Sequence, residues 1–126
     1  MTIKNKIKLA ILGGSTTGLI KKGLIEHFKD KNIQIEIYES NYNQYIFEGL
    51  NPSPKLIKFK PDFIFIHTSS ENIKNFPDLN DSDAKINEHL ENTYKIFEKI
   101  WTNLTNKFNC FIIQNNFEYL KFANLG

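Results

Sequence analysis

Apolar and polar positions along this chain alternate between the period of a strand and the period of a helix. Ile7-Lys8-Leu9-Ala10-Ile11-Leu12 is almost continuously apolar and stops at Gly13-Gly14, which predicts a buried strand running into a tight turn. Ser15-Thr16-Thr17 then places hydroxyls at a helix start, with Ser15 or Thr16 positioned to cap it. Ile20, Leu24 and Phe28 recur at a helical spacing with Leu19 and Ile25 beside them. Gly18 and Gly23 weaken that helix but permit close packing on a sheet. Lys29-Asp30-Lys31-Asn32 ends it, and Ile33, Ile35 and Ile37 alternate with Gln34, Glu36 and Tyr38 as a second strand.

The stretch Ser40–Lys60 reads as irregular, with a turn at Asn51-Pro52-Ser53-Pro54, because each proline bars the right-handed helical region to the residue before it. A short helix or turn over Lys55–Phe59 leads to Phe63-Ile64-Phe65-Ile66-His67, which is apolar on both faces, as a central parallel strand requires. Thr68–Asp81 is a polar connection. From Asp83 to Thr105 the residues Ile86, Leu90, Phe97, Ile100, Trp101 and Leu104 mark one side of a long helix, capped by Asp81, Ser82 or Asp83. Cys110–Gln114 forms the fourth strand. This order predicts a single α/β domain over residues 1–126, a three-layer α/β/α arrangement on a mostly parallel sheet. A further helix is expected after the fourth strand, so the fold reads as cut short at its C-terminus.

Composition narrows the chemistry. The chain has 126 residues, 40% hydrophobic and 24% charged, enough for one core and too few for a two-domain enzyme. No apolar run is long enough to span a membrane. Sixteen basic and 14 acidic residues leave a net charge of +2, which does not point to nucleic acid. Every basic residue is lysine, so an anion would be held by amides, hydroxyls or ammonium groups rather than by a guanidinium fork. Cys110 stands alone, which excludes an internal disulfide and a multi-cysteine metal site and fits a reducing, cytoplasmic setting.

Ligands of open parallel sheets sit beyond the carboxyl ends of the strands. Those ends carry Gly13–Thr17, Glu39–Asn41, His67–Ser70 and Gln114–Asn116, all small or polar, and the candidate crevice comprises Gly13, Gly14, Thr16, Thr17, His67, Thr68 and Asn115. Gly13-Gly14-Ser15-Thr16-Thr17-Gly18 carries most of the information. A dinucleotide fingerprint needs glycine where Ser15 stands, and a P-loop needs lysine then a hydroxyl residue where Leu19 and Ile20 stand. Ser15 remains as a nucleophile at a tight turn, its own amide contributing to an oxyanion hole, or simply as a helix cap. Of the histidines, His27 and His89 fall on helices as surface residues, while His67 falls at a strand exit, where it either lines the crevice or bonds a neighbouring loop. Glu71 and Asn72 lie nearby in sequence without a diagnostic spacing, and no Asp-x-x-His occurs.

Four blocks in order resemble the N-terminal domain of FkbH-like proteins: Ile11–Thr17; Glu36–Glu39 with Tyr42 and Gln44-Tyr45; Asn51–Leu56 running into Phe59–Asp62; and Ile113–Glu118, with Leu125-Gly126 at the family's Leu-Gly-Asn stretch. The resemblance implies a flavodoxin-like sheet similar to that of SGNH hydrolases. It implies a following haloacid-dehalogenase-type domain with an Asp-x-Asp-x-Thr motif and magnesium, which loads a glyceryl unit from 1,3-bisphosphoglycerate onto an acyl carrier protein. This chain has no Asp-x-Asp-x-Thr, so the resemblance implies neither metal nor cofactor in this domain. Ser15 matches the SGNH serine, whereas Gly14 replaces that motif's aspartate and His67-Thr68-Ser69-Ser70 does not match its Gly-x-Asn-Asp block.

Three functions follow as expectations. The first is a non-catalytic accessory domain that positions substrate or docks a carrier protein. The second is a serine esterase or acyltransferase using Ser15, with its acid–histidine pair beyond Gly126. The third is a free-standing interaction module.

Overall fold

The computed structural model describes residues 6–118. β1 (Lys6–Gly13) leads to α1 (Gly18–Asp30) and β2 (Gln34–Glu39), then to two short helices, α2 (Tyr45–Leu50) and α3 (Pro54–Phe59). β3 (Phe63–His67), a single 3₁₀ turn at Ser70–Asn72, α4 (Asp83–Phe108) and β4 (Phe111–Gln114) complete the described chain. The four strands form one parallel sheet in the order β2-β1-β3-β4. β1 therefore pairs with β2 on one side and β3 on the other, and the topological switch point lies between β1 and β3.

Alternation along β1 and β3 sends successive side chains to opposite faces. Ala10, Leu12, Ile64 and Ile66 meet Tyr45, Leu56, Phe97, Ile100 and Leu104 from α2, α3 and α4 in one core. Each large aliphatic buried there contributes roughly 1.5–3 kcal/mol. On the opposite face, α1 lays Ile20, Leu24 and Phe28 near Ile7, Leu9, Ile35, Phe63, Phe65 and Ile113 around an apolar hollow of about 350 Å³. Phe111 stacks on Phe63 with ring centroids 5.7 Å apart, yet remains 73% exposed. Among the described residues, α2, α3 and α4 thus cover one face and α1 lies on the other.

The expected α/β architecture, with helices on both faces of a parallel sheet, is present. Several details differ. Tyr45–Leu50 is helical where the sequence reads as irregular. Six residues do not sustain a helix by propensity, so packing supplies the stability. Gly49 lies so close to α4 that a Cβ there would fall 2.6 Å from Ile100 Cγ2. Asn103 Nδ2 donates to the carbonyls of Gly49 and Leu50 at 2.8 and 3.1 Å, satisfying the end of α2. Gly18 and Gly23, by contrast, have open space where their side chains would be and mark no close approach.

In α4, Phe97, Ile100 and Leu104 are buried as expected, but Leu90 is 63% exposed. Ser82 is the capping residue, accepting from the Lys85 amide at 3.2 Å. The helix runs to Phe108 and closes on Asn109 in the left-handed conformation, which asparagine tolerates well. His89 is only partly exposed and faces Asp81 at 3.4 Å, so it is no free surface residue; His27 is exposed. The Leu125-Gly126 block, and any helix following β4 after Glu118, lie outside the described residues.

Candidate functional site

The carboxyl ends of β1 and β3 meet in register, Gly13 opposite His67, and the Gly14 amide donates to the His67 carbonyl at 2.9 Å. This bond fixes the turn after β1 relative to the last residue of β3. Ser15 then folds back so that its Oγ lies 3.3 Å from His67 Nδ1. Both residues are half-buried, so the pair is held by the fold and still reaches solvent. The sequence places Ser15 and His67 at two separate strand exits; parallel pairing of β1 with β3 brings them together.

Ser15 does not cap α1. The N-cap position belongs to Thr17, and no side chain accepts from the helix's first amides. The buried Thr17 hydroxyl instead donates to Glu39 Oε2 at 2.8 Å, tying the start of α1 to the end of β2. Ser40 Oγ accepts from the Gly13 amide at 3.1 Å, so the β2 exit supports the same turn from its other side. Thr16 is exposed at the rim.

Asn72 is the residue that sequence spacing did not single out. Its Nδ2 donates to the Gly14 carbonyl at 3.0 Å, and its Oδ1 accepts from the Ser69 amide at 2.8 Å. The Asn72 side chain fills the space above Gly14 so closely that a Cβ on Gly14 would lie 2.4 Å from Asn72 Oδ1. That contact accounts for glycine at position 14. The one sequence signal for Asn72 is the pattern Ser69-x-x-Asn72, a reciprocal capping box around the 3₁₀ turn.

Thr68 and Asn115 bond to each other. Asn115 Oδ1 accepts from the Thr68 amide at 3.0 Å, and its Nδ2 donates to the Thr68 carbonyl at 2.7 Å. Thr68 is only 1% exposed and Asn115 is half-buried, and the pair splices β4 to the β3 exit. Glu118 continues the splice, accepting from the Ser70 amide at 3.2 Å and the Ser70 hydroxyl at 2.9 Å. Its pKa is held below the usual carboxylate value, first by its own backbone amide, then by the Ser70 hydroxyl and amide, with a further contribution from nearby His67.

No three His, Cys, Asp or Glu side chains converge in a metal-binding arrangement among the described residues. A larger hollow of about 650 Å³ lies at the opposite, amino-terminal end of β3 and β4, lined by Lys60, Asp62, Lys107 and Asn109 among others. It is away from the Ser15–His67 pair and at the end of a parallel sheet that does not normally take ligands.

The fold is a parallel α/β domain whose β1 and β3 exits bring Ser15 and His67 together at the topological switch point. The FkbH N-terminal domain family matches residues 8–125, and this chain belongs to it. A crystal structure of the N-terminal part of the protein BF1531 from Bacteroides fragilis, containing a phosphatase domain and complexed with Mg, is similar in fold. The TM-score is 0.74 at 22% sequence identity, over 96% of this chain and 31% of that one. The chain therefore spans less than a third of the length of that solved chain. No curated protein matches this chain.

Proposed function

We propose that this domain is the accessory, substrate-positioning part of an FkbH-like protein, and that its crevice presents a small acyl-type substrate or a loaded acyl carrier protein to a neighbouring catalytic domain. The observation that carries this reading is the convergence of the β1, β2, β3 and β4 exits on one polar rim braced by Glu39, Asn72 and Asn115. The solved relative contains a phosphatase domain with Mg, the kind of neighbour such a domain serves. In the family resemblance, that neighbour loads glyceryl units from 1,3-bisphosphoglycerate onto the carrier. The magnesium belongs there, since this chain carries no Asp-x-Asp-x-Thr.

Lys21 and Lys22, in the first turns of α1, place positive charge near the crevice for an acidic carrier. A cytoplasmic setting fits the free Cys110, and no helix among the described residues is long and apolar enough to cross a membrane. Titrating the isotope-labelled protein with glyceryl-loaded acyl carrier protein tests the reading. Shifts at the Gly14–Thr17 and His67–Thr68 amides are expected; no shift at any of them overturns it.

A second reading rests on one contact, the 3.3 Å approach of Ser15 Oγ to His67 Nδ1. It makes the domain an SGNH-like serine esterase or acyltransferase with Ser15 as nucleophile.

A further inference from the structure

Resting on that second reading, we propose that His67 is the general base for Ser15, so that nucleophile and base of an ester- or thioester-cleaving site both lie on β1 and β3 of this chain. A base supplied from beyond Gly126 is then unnecessary.

The geometry is specific at three points. First, the base is pinned: the Gly14 amide holds the His67 carbonyl, while the Phe65 ring meets the imidazole edge-on with centroids 5.7 Å apart. Second, the nucleophile has no helix-capping duty, because no side chain caps α1 and the imidazole is the partner its hydroxyl meets. Third, the turn that carries Ser15 is rigid, because Asn72 clamps the Gly14 carbonyl. A separation of 3.3 Å is slightly long for a catalytic hydrogen bond, a kind of contact that tightens when substrate binds.

The chemistry balances within these groups. With its proton on Nε2, His67 presents a lone pair at Nδ1 to the Ser15 hydroxyl. As Ser15 Oγ bonds to the carbonyl carbon of an ester or thioester, its proton passes to Nδ1. The bond from carbon to the leaving oxygen or sulfur then breaks, and His67 returns the proton to that atom. Water, or an acceptor hydroxyl or thiol, repeats the sequence on the acyl-serine and regenerates the free serine. The Glu118 carboxylate, tethered by Ser70, supplies negative charge in range of the imidazolium that forms.

A fluorophosphonate probe followed by intact mass tests this on the protein itself. The wild type is expected to take one adduct and Ser15→Ala none. His67→Asn separates base from scaffold, since asparagine places a hydrogen-bonding atom near the Nδ1 position but cannot accept the proton. Its labelling is expected to slow by about 10²–10⁴-fold. His67→Gly assayed with added imidazole is the second variant, and recovery of labelling is expected. Labelling of His67→Asn at the wild-type rate would overturn the base role while leaving Ser15 as nucleophile. An unlabelled wild type would overturn the serine reading and this inference together.

Discussion

Two polar clusters in this domain use similar groups to opposite ends. Beneath α2 and α3, the buried Glu48 carboxylate accepts from the Tyr38 hydroxyl at 2.9 Å, the Ser53 hydroxyl at 3.2 Å and the Ser53 amide at 3.2 Å. Ser53 Oγ in turn accepts from the Leu56 amide and caps α3, ahead of Pro54. Both carboxylate oxygens are engaged, and burial raises the Tyr38 pKa, which keeps its proton available to donate. At the carboxyl end of the two central strands, the Ser15 hydroxyl and the His67 imidazole meet each other with solvent beside them. A polar cluster closed on itself secures a loop; the Ser15–His67 pair leaves a hydroxyl and an imidazole nitrogen beside solvent, the arrangement the proposed Ser15 chemistry requires.

The sharpest way to break that comparison is Ser15→Ala. It should abolish fluorophosphonate labelling while changing stability by no more than about 0.5 kcal/mol in a urea melt, since Ser15 caps nothing. Glu48→Ala should do the reverse. It strands the Tyr38 hydroxyl and the Ser53 donors, costing about 2–3 kcal/mol of stability with Ser15 labelling retained per folded molecule.

Gly14→Ala probes the support beneath the site. The new Cβ must displace Asn72, so a cost of about 1–3 kcal/mol and slower labelling are expected together. Ser82→Ala, distant from both clusters, should cost about 1 kcal/mol through the α4 cap and leave labelling unchanged. The smallest effect concerns Glu118. Its pKa is depressed, so its contribution is present at neutral pH and is lost as pH falls through the folded value, below its ordinary 4.5. The Ser70 amide resonance should move in that acidic window and stay put from there to neutrality.

Much of this architecture is legible in the sequence. The unbroken apolar run of β3 and the alternation of Ile33, Ile35 and Ile37 are strand signals independent of context. The Gly13-Gly14 stop placed the turn at the β1 exit, and Asn51-Pro52-Ser53-Pro54 marked the break that separates α2 from α3. What stayed hidden depends on tertiary partners. α2 exists because Gly49 and Tyr45 pack on α4, and no local pattern encodes that. Leu90 follows the periodicity of α4 yet lies outside the core, because periodicity marks a face without saying how much of its length is covered.

The site was legible in its parts and not in its pairing. Ser15 and His67 were both recognisable at strand exits, but they lie 52 residues apart, and only the register of β1 on β3 brings them together. Asn72 was hidden for the same reason. Its spacing from His67 says nothing until the 3₁₀ turn folds its amide over Gly14. Conversely, Ser15 fits the sequence profile of a helix cap, and its hydroxyl instead reaches the imidazole.

The most direct test of the open Ser15–His67 pair is the protonation pattern of the His67 ring, read from its imidazole nitrogen shifts by NMR at a pH where the ring is neutral. A proton on Nε2 and a bare Nδ1, with the Nδ1 shift moving in Ser15→Ala, is the predicted result. A neutral ring carrying its proton on Nδ1 would make His67 the donor and Ser15 the acceptor, and would contradict the account.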